Sequence, residues 1–139
     1  MEQAEPRFSA RLTVELDRLG LEFLADILAV ERARHPSNLE ALAELGHVYT
    51  RLGRYAQGLE VDRALAQRCP LNPTAHYNLA CSLALLGQTA EALDSLEQAA
   101  DLGYDDPQQM RADDDLESLR GEHRFRELLK RLEKAASDR

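Results

Sequence analysis

The sequence has no tryptophan and only 5% aromatic residues, so its interior must be built from aliphatic side chains, and Leu and Ala recur in every segment. It also lacks stretches in which Val, Ile, Thr or Tyr alternate with polar residues, and it contains no Asn-Gly or Asp-Gly pair. These absences exclude β-hairpins as the organising element and point to an all-α fold. Cysteine is scarce. Cys69 and Cys81 stand twelve positions apart, in neither a CxxC pair nor a disulfide framework, which reads as reduced thiols in a cytoplasmic protein. A disulfide between them would need a close approach that the spacing leaves open. No apolar run is long enough to span a membrane, and the opening MEQAEPRFSARLTVELDRLG mixes charges where a secretory signal needs an unbroken apolar core. Cations are the minority, 17 Lys and Arg against 25 Asp and Glu, for a net charge of -8. Phosphate binding draws on clustered cations, so nucleic acid is disfavoured as a partner, and the acidic excess serves solubility.

What is present is an internal repeat. Residues 36–69 align with residues 70–103 at a fixed offset of 34: Pro36 falls on Pro70, Asn38 on Asn72, Ala41 on Ala75 and Leu45 on Leu79. Leu52 falls on Leu86, Gly53 on Gly87, Ala56 on Ala90 and Leu59 on Leu93. Each unit reads as two helices divided by Gly53 or Gly87, residues suited to the left-handed conformation that ends a helix. Asn72 before Pro73 predicts an N-cap with proline at the first helical position, and Ser37 with Glu40 has the spacing of a capping box. Asp106 before Pro107 repeats the cap signature and opens a third unit.

These residues resemble the tetratricopeptide repeat family. In the first unit Leu42, Leu45-Gly46, Tyr49 and Pro70 match its consensus, Gly58 takes the small position, and Asp62 stands where an aromatic is expected. The second unit matches at His76, Leu79-Ala80, Leu83, Ala92 and Leu96, with Tyr104 in place of the proline. The resemblance implies one domain over 1–139, a right-handed superhelical stack of antiparallel helical hairpins. Residues 8–35 would be a degenerate opening repeat or cap, with 8–18 as a partner helix, and 36–69 and 70–103 the full repeats. Residues 104–139 would be a degenerate repeat whose last helix seals the stack with Phe125, Leu128, Leu129 and Leu132. The string LESLRGEHRFRELL is similar to the closing segment of bacterial members. Phe8, Leu12, Leu16 and Leu19 form an apolar row through which copies could self-associate.

The family binds peptides or helices of other proteins on its concave face. By that resemblance the groove here comprises His47, Arg51, Tyr77, Asn78, Cys81, Leu85 and Arg111, with Glu40, Ala43, Glu44, Thr50, Thr74, Ala84 and Gln108 around them. Tyr77 reads two ways, as a groove contact or as packing between repeats. Members that grip a C-terminal carboxylate need two Asn and several cations; this chain keeps only Asn78, with Ala43, His47, Gln108 and Ala112 at the other positions, so that ligand is disfavoured.

Catalytic chemistry has little support. The histidines His35, His47, His76 and His123 show no metal-ligand spacing, no phosphate-binding glycine loop or Ser/His/Asp arrangement occurs, and no cofactor or metal is expected. Cys81 is either a thiol activated by His47 or a small packing residue. Seven acids and one base between residues 101 and 117 read as a solvated acidic turn, answered by the net +3 of residues 118–139. The expected function is a non-enzymatic adaptor that holds a protein or peptide partner, with a small chaperone for a secreted or assembled client as the alternative.

Overall fold

The computed structural model of the protein describes residues 9–139. It contains α1 (Ala10–Arg34), α2 (Leu39–Arg51), α3 (Tyr55–Arg68), α4 (Pro73–Leu85), α5 (Thr89–Asp101), α6 (Pro107–Ala112), a 3-10 helix (Asp114–Leu119) and α7 (His123–Ser137). No strand occurs among the described residues, and no helix there is long and apolar enough to cross a membrane. Helices adjacent in sequence pack together, α2 on α3 and α4 on α5 as hairpins, α1 on α2 and α3 on α4 between them. The chain is therefore a tetratricopeptide-like α-solenoid.

Local chemistry fixes each turn. Gly53 and Gly87 adopt φ of +74° and +73°, and the amides that follow them reach back to Tyr49 and Leu83 (both 2.9 Å), closing the free carbonyls of α2 and α4. The helix starts are capped by Asn38 (from the Ala41 amide, 3.1 Å), Asn72 (from Thr74, 2.9 Å) and Asp106 (from Gln109, 2.9 Å). Ser37 is not the cap of α2: Asn38, 34 positions before Asn72, does that work, so the expected Ser37–Glu40 box is corrected by one position.

Two features depart from the sequence expectation. Residues 10–34 form one unbroken helix where a separate partner helix over 8–18 was expected, because nothing between them but Gly20 disfavours helix and a single glycine costs only about 1 kcal/mol. Only Ala25 of α1 is fully buried; Leu21, Leu24 and Leu28 lean on the core. The opposite face carries Leu12, Leu16, Leu19, Phe23, Ile27 and Val30, all exposed, Phe23 by 67%. Phe8, expected to begin that row, lies outside the described residues. The second departure lies within the acidic turn: Asp101, Asp105, Asp106, Asp114 and Glu117 are exposed as expected, but Asp113 and Asp115 are half-buried against α4.

Helix α4 is the centre of the molecule. Eight of its thirteen residues are buried, on every side, because α3, α5 and the 3-10 helix all pack against it. Ala75, Ala80 and Ala84 keep those approaches close. At the C-terminal end α7 buries Phe125, Leu128, Leu129 and Leu132. The basic tail answers acids of α5 and the loop after it: Arg124 pairs with Asp94 (2.6 Å) and Glu97 (2.9 Å), Arg131 with Asp101 (3.0 Å), Arg139 with Asp105 (2.7 Å). Exposed pairs of this kind are each worth less than about 1 kcal/mol.

Gly87→Ala forces an L residue into the left-handed region, which costs about 1–2 kcal/mol. Urea denaturation should show the midpoint falling with an unchanged slope; an unaltered midpoint would contradict the turn geometry.

Candidate functional site

The inner face of the stack is built from the first helices of successive pairs, α2 and α4, and from the closing segment around α6. A cavity of about 280 Å³ opens there, lined by Gly46, His47 and Thr50 of α2, by Tyr77, Asn78, Cys81 and Ser82 of α4, and by Asp62, Gln109, Asp113 and Asp115. Among the described residues no Lys or Arg lines it.

Its floor is Asp62, brought up from α3 and only 5% exposed. Ser82 Oγ donates to Asp62 Oδ2 at 2.5 Å. The carboxylate fits because residue 46 has no side chain: a Cβ there would lie 2.5 Å from Asp62 Oδ1 and 3.4 Å from Val61 Cγ1. Gly58 of α3 eases the approach of α2 as well, since a Cβ there would meet Thr50 Oγ1 at 3.2 Å. Burial raises the Asp62 carboxyl from 3.8 to about 6, against the opposing pull of the Ser82 hydrogen bond.

The far wall is held by Asp113. Its Oδ2 accepts the Tyr77 hydroxyl at 2.8 Å and lies 3.8 Å from the Cys81 sulfur, while Oδ1 accepts the Asp115 amide at 3.0 Å and so caps the 3-10 helix. The Arg120 guanidinium donates to the Asp113 carbonyl at 3.2 Å. Tyr77 is 4% exposed and stacks on Tyr104, with ring centroids 4.5 Å apart and planes 14° from parallel. Burial first, and then the neighbouring Cys81 and Asp113, push the Tyr77 phenol far up, so it stays a neutral donor. The Cys81 thiol is likewise driven up by burial and by the carboxylates of Asp113, Asp115 and Asp62. That environment opposes a thiolate and favours the packing reading of Cys81. Asp115 is raised by burial, Asp113 and Asp114, with His47 acting the other way.

The seven residues expected from sequence do not form one surface. His47, Tyr77, Asn78 and Cys81 line the cavity, although Tyr77 and Cys81 are buried in its wall. Arg51 borders a separate depression with Val14, Arg18 and Leu21 of α1; Leu85 borders another with Asp114, Glu117 and Ser118. Arg111 is engaged by Glu133 of α7. Sequence reasoning missed Asp62, Asp113 and Asp115. The available signal for Asp62 was its departure from the aromatic position of the repeat; for the other two it was the acidic run, taken there as solvated.

Cys81 Sγ and carboxylate oxygens of Asp113 and Asp115 lie within 4.8 Å of one another, a spacing from which a metal ion could be held. Both oxygens of Asp113 are already engaged and the thiol is held protonated, which opposes metal capture, since ligands must be free and deprotonated.

Two outcomes follow from the floor. Between about pH 4 and 6 the native Asp62 holds a proton that the unfolded chain has released, so stability falls as pH rises through that window and is level above it. The displacement corresponds to roughly 3 kcal/mol. Asp62→Asn should remove this slope, read as urea stability at pH 4, 5, 6 and 7, and an unchanged slope would contradict the assignment. Gly46→Ala should cost about 1–3 kcal/mol through the clash with Asp62. In an Asp62→Ala background most of that cost should vanish, and strict additivity in the double-mutant cycle would refute the contact.

Over 93 residues the chain is 33% identical to a curated chloroplastic protein of Arabidopsis thaliana, a match that covers 65% of this chain and 28% of that relative. The chain thus spans little more than a quarter of the curated relative it matches. Among solved structures, MamA AMB-1 is 26% identical with a TM-score of 0.62, over 81% of this chain and 61% of that one. A MamA RS-1 double mutant, at 18% identity and TM-score 0.64 over 91% of this chain and 74% of that one, shares the fold. These neighbours are tetratricopeptide-like, in keeping with a helical-repeat interaction scaffold. A family model described as the bacterial transcriptional activator domain matches residues 21–113, and the chain belongs to that family.

Proposed function

We propose that the protein is a non-catalytic, cytoplasmic adaptor that holds an extended peptide or a helix of a partner protein on its concave face. The observation that carries this reading is the cavity between α2, α4 and the closing segment, the one place where His47, Asn78 and the carboxylates converge. A groove built on rigid helices needs little ordering before it binds. The absence of an activated nucleophile around Cys81 favours binding over catalysis. The net charge of -8 favours a protein partner over DNA, whatever larger assembly the domain serves. In this reading 36–69 and 70–103 are the working repeats, 8–35 is the opening cap and 104–139 the closing unit.

The test is capture of partners from native extract by the wild-type chain and by a His47→Ala/Asn78→Ala variant. A partner of the groove is retained by the first and by the outer-face control Arg63→Ala, and reduced at least about tenfold by the double variant. Equal capture by all three would move the binding surface elsewhere. Rescue of an aggregation-prone client, with no discrete peptide bound, would favour the chaperone alternative.

A second reading, self-association, is favoured by the exposed row Leu12, Leu16, Leu19, Phe23, Ile27 and Val30 on α1. At roughly 100 Å² for each half-exposed side chain the row offers about 600 Å², near the ~800 Å² per partner of an ordinary interface. Sedimentation should report a dimer that Leu19→Glu/Phe23→Glu dissolves without loss of helicity; a monomer at all concentrations would reject it.

A further inference from the structure

We propose that the cavity is a cation site that receives a basic side chain, arginine above all, from the partner. The inference rests on the groove reading and names the chemistry of its occupant.

The cavity has unsatisfied negative charge built into it. Asp62 is 5% exposed and lines it. Ser82 serves only one of its oxygens; among the described residues no donor reaches Oδ1. Asp115 lies in the opposite wall with no ion pair or side-chain hydrogen bond to its carboxylate among the described residues, and Asp113 adds a third charge between Asp115 and α4. The nearby cations do not reach the cavity carboxylates. Arg63, next to Asp62 in sequence, pairs with Glu91; Arg120 donates one amino group to the Asp113 backbone, keeps its buried Nε without a partner and lies 4.0 Å from the outward Asp114; Arg111 is held by Glu133, and Arg51 faces α1. Among the described residues His47 is the one imidazole on the rim, and it is exposed. A carboxylate taken out of water without a counter-charge is costly, so a complementary ligand gains more here than at an exposed acid.

Size and shape favour a side chain over an ion. The space of about 280 Å³ is near ten times the share of one water molecule, far more than a bare cation fills. A guanidinium on its stem presents several donors in a plane, is weakly hydrated, and can meet carboxylates on two sides at once. Asn78, half-buried on α4, offers a neutral acceptor beside them.

The test uses the full chain, amide-resolved NMR and two small probes that differ only in charge, N-acetyl-arginine amide and N-acetyl-citrulline amide. Arginine should shift the amides of Gly46, Asn78 and Cys81 and bind roughly tenfold more tightly than citrulline. Asp62→Asn and, separately, the less buried Asp115→Asn should each weaken it several-fold while the spectrum stays dispersed. Equal binding of citrulline at the same amides would leave the groove standing as a binding surface and overturn the cation assignment. Shifts confined to α3, α5 or α7 would overturn both. Stoichiometric Zn²⁺ that shifts the same amides and displaces arginine would reassign Cys81, Asp113 and Asp115 to a metal and overturn the proposal.

Discussion

The hydrogen bond from Tyr77 to Asp113 joins the two halves of the design. Helix α4 buries residues on every side, Tyr77 and Cys81 of its inner face among them, yet that is the face a repeat protein uses for binding. Asp113 resolves the conflict by ending α6, capping the 3-10 helix and drawing that helix over α4, so that Tyr77 and Cys81 are covered while His47 and Asn78 stay at the rim. The groove is consequently shorter than an open stack would give, and its far wall is a lid of polar backbone and carboxylates in place of another first helix.

The floor follows the same logic at higher cost. Where the repeat consensus has an aromatic ring, Asp62 inserts a carboxylate between α2 and α4, and two small residues, Gly46 and Ser82, make space and supply a hydrogen bond. Nothing in the packing of α2 on α3 requires a charge there; an apolar side chain would fill the same space and avoid desolvation. A destabilising group that a neighbouring glycine accommodates is the expected mark of a site shaped for binding over stability.

Most of the fold was legible in the sequence because its determinants are local. The offset of 34 residues, the caps Asn72 and Asp106, and the turn glycines Gly53 and Gly87 each act within a few residues of themselves, and each appears where expected. The single helix α1 was less legible, since its first half has no packing partner in the described chain and only the absence of a stop signal marks its continuity. The site was least legible. The partnership of Ser82 with Asp62, twenty positions away, and of Tyr77 with Asp113, thirty-six away, depends on how hairpins stack, which no local pattern records. His47 and Asn78 could be placed from repeat position alone; Arg51, Leu85 and Arg111 could not, because α1, the 3-10 helix and α7 divide or occupy the surfaces they face.

The ends of the stack differ in kind, and this gives the architecture a direction of growth. Helix α7 closes one end with a buried aliphatic face and a belt of arginines matched to α5, so a further unit inserted after residue 103 would have to be recognised by that cover. At the other end α1 still presents apolar side chains in helical register. Tandem duplication of a 34-residue unit ahead of residue 36 would lengthen the solenoid without disturbing Asp62, Asp113 or the lid. The two ends of the described stack thus differ in how far a neighbouring unit could dock on them without touching the cavity.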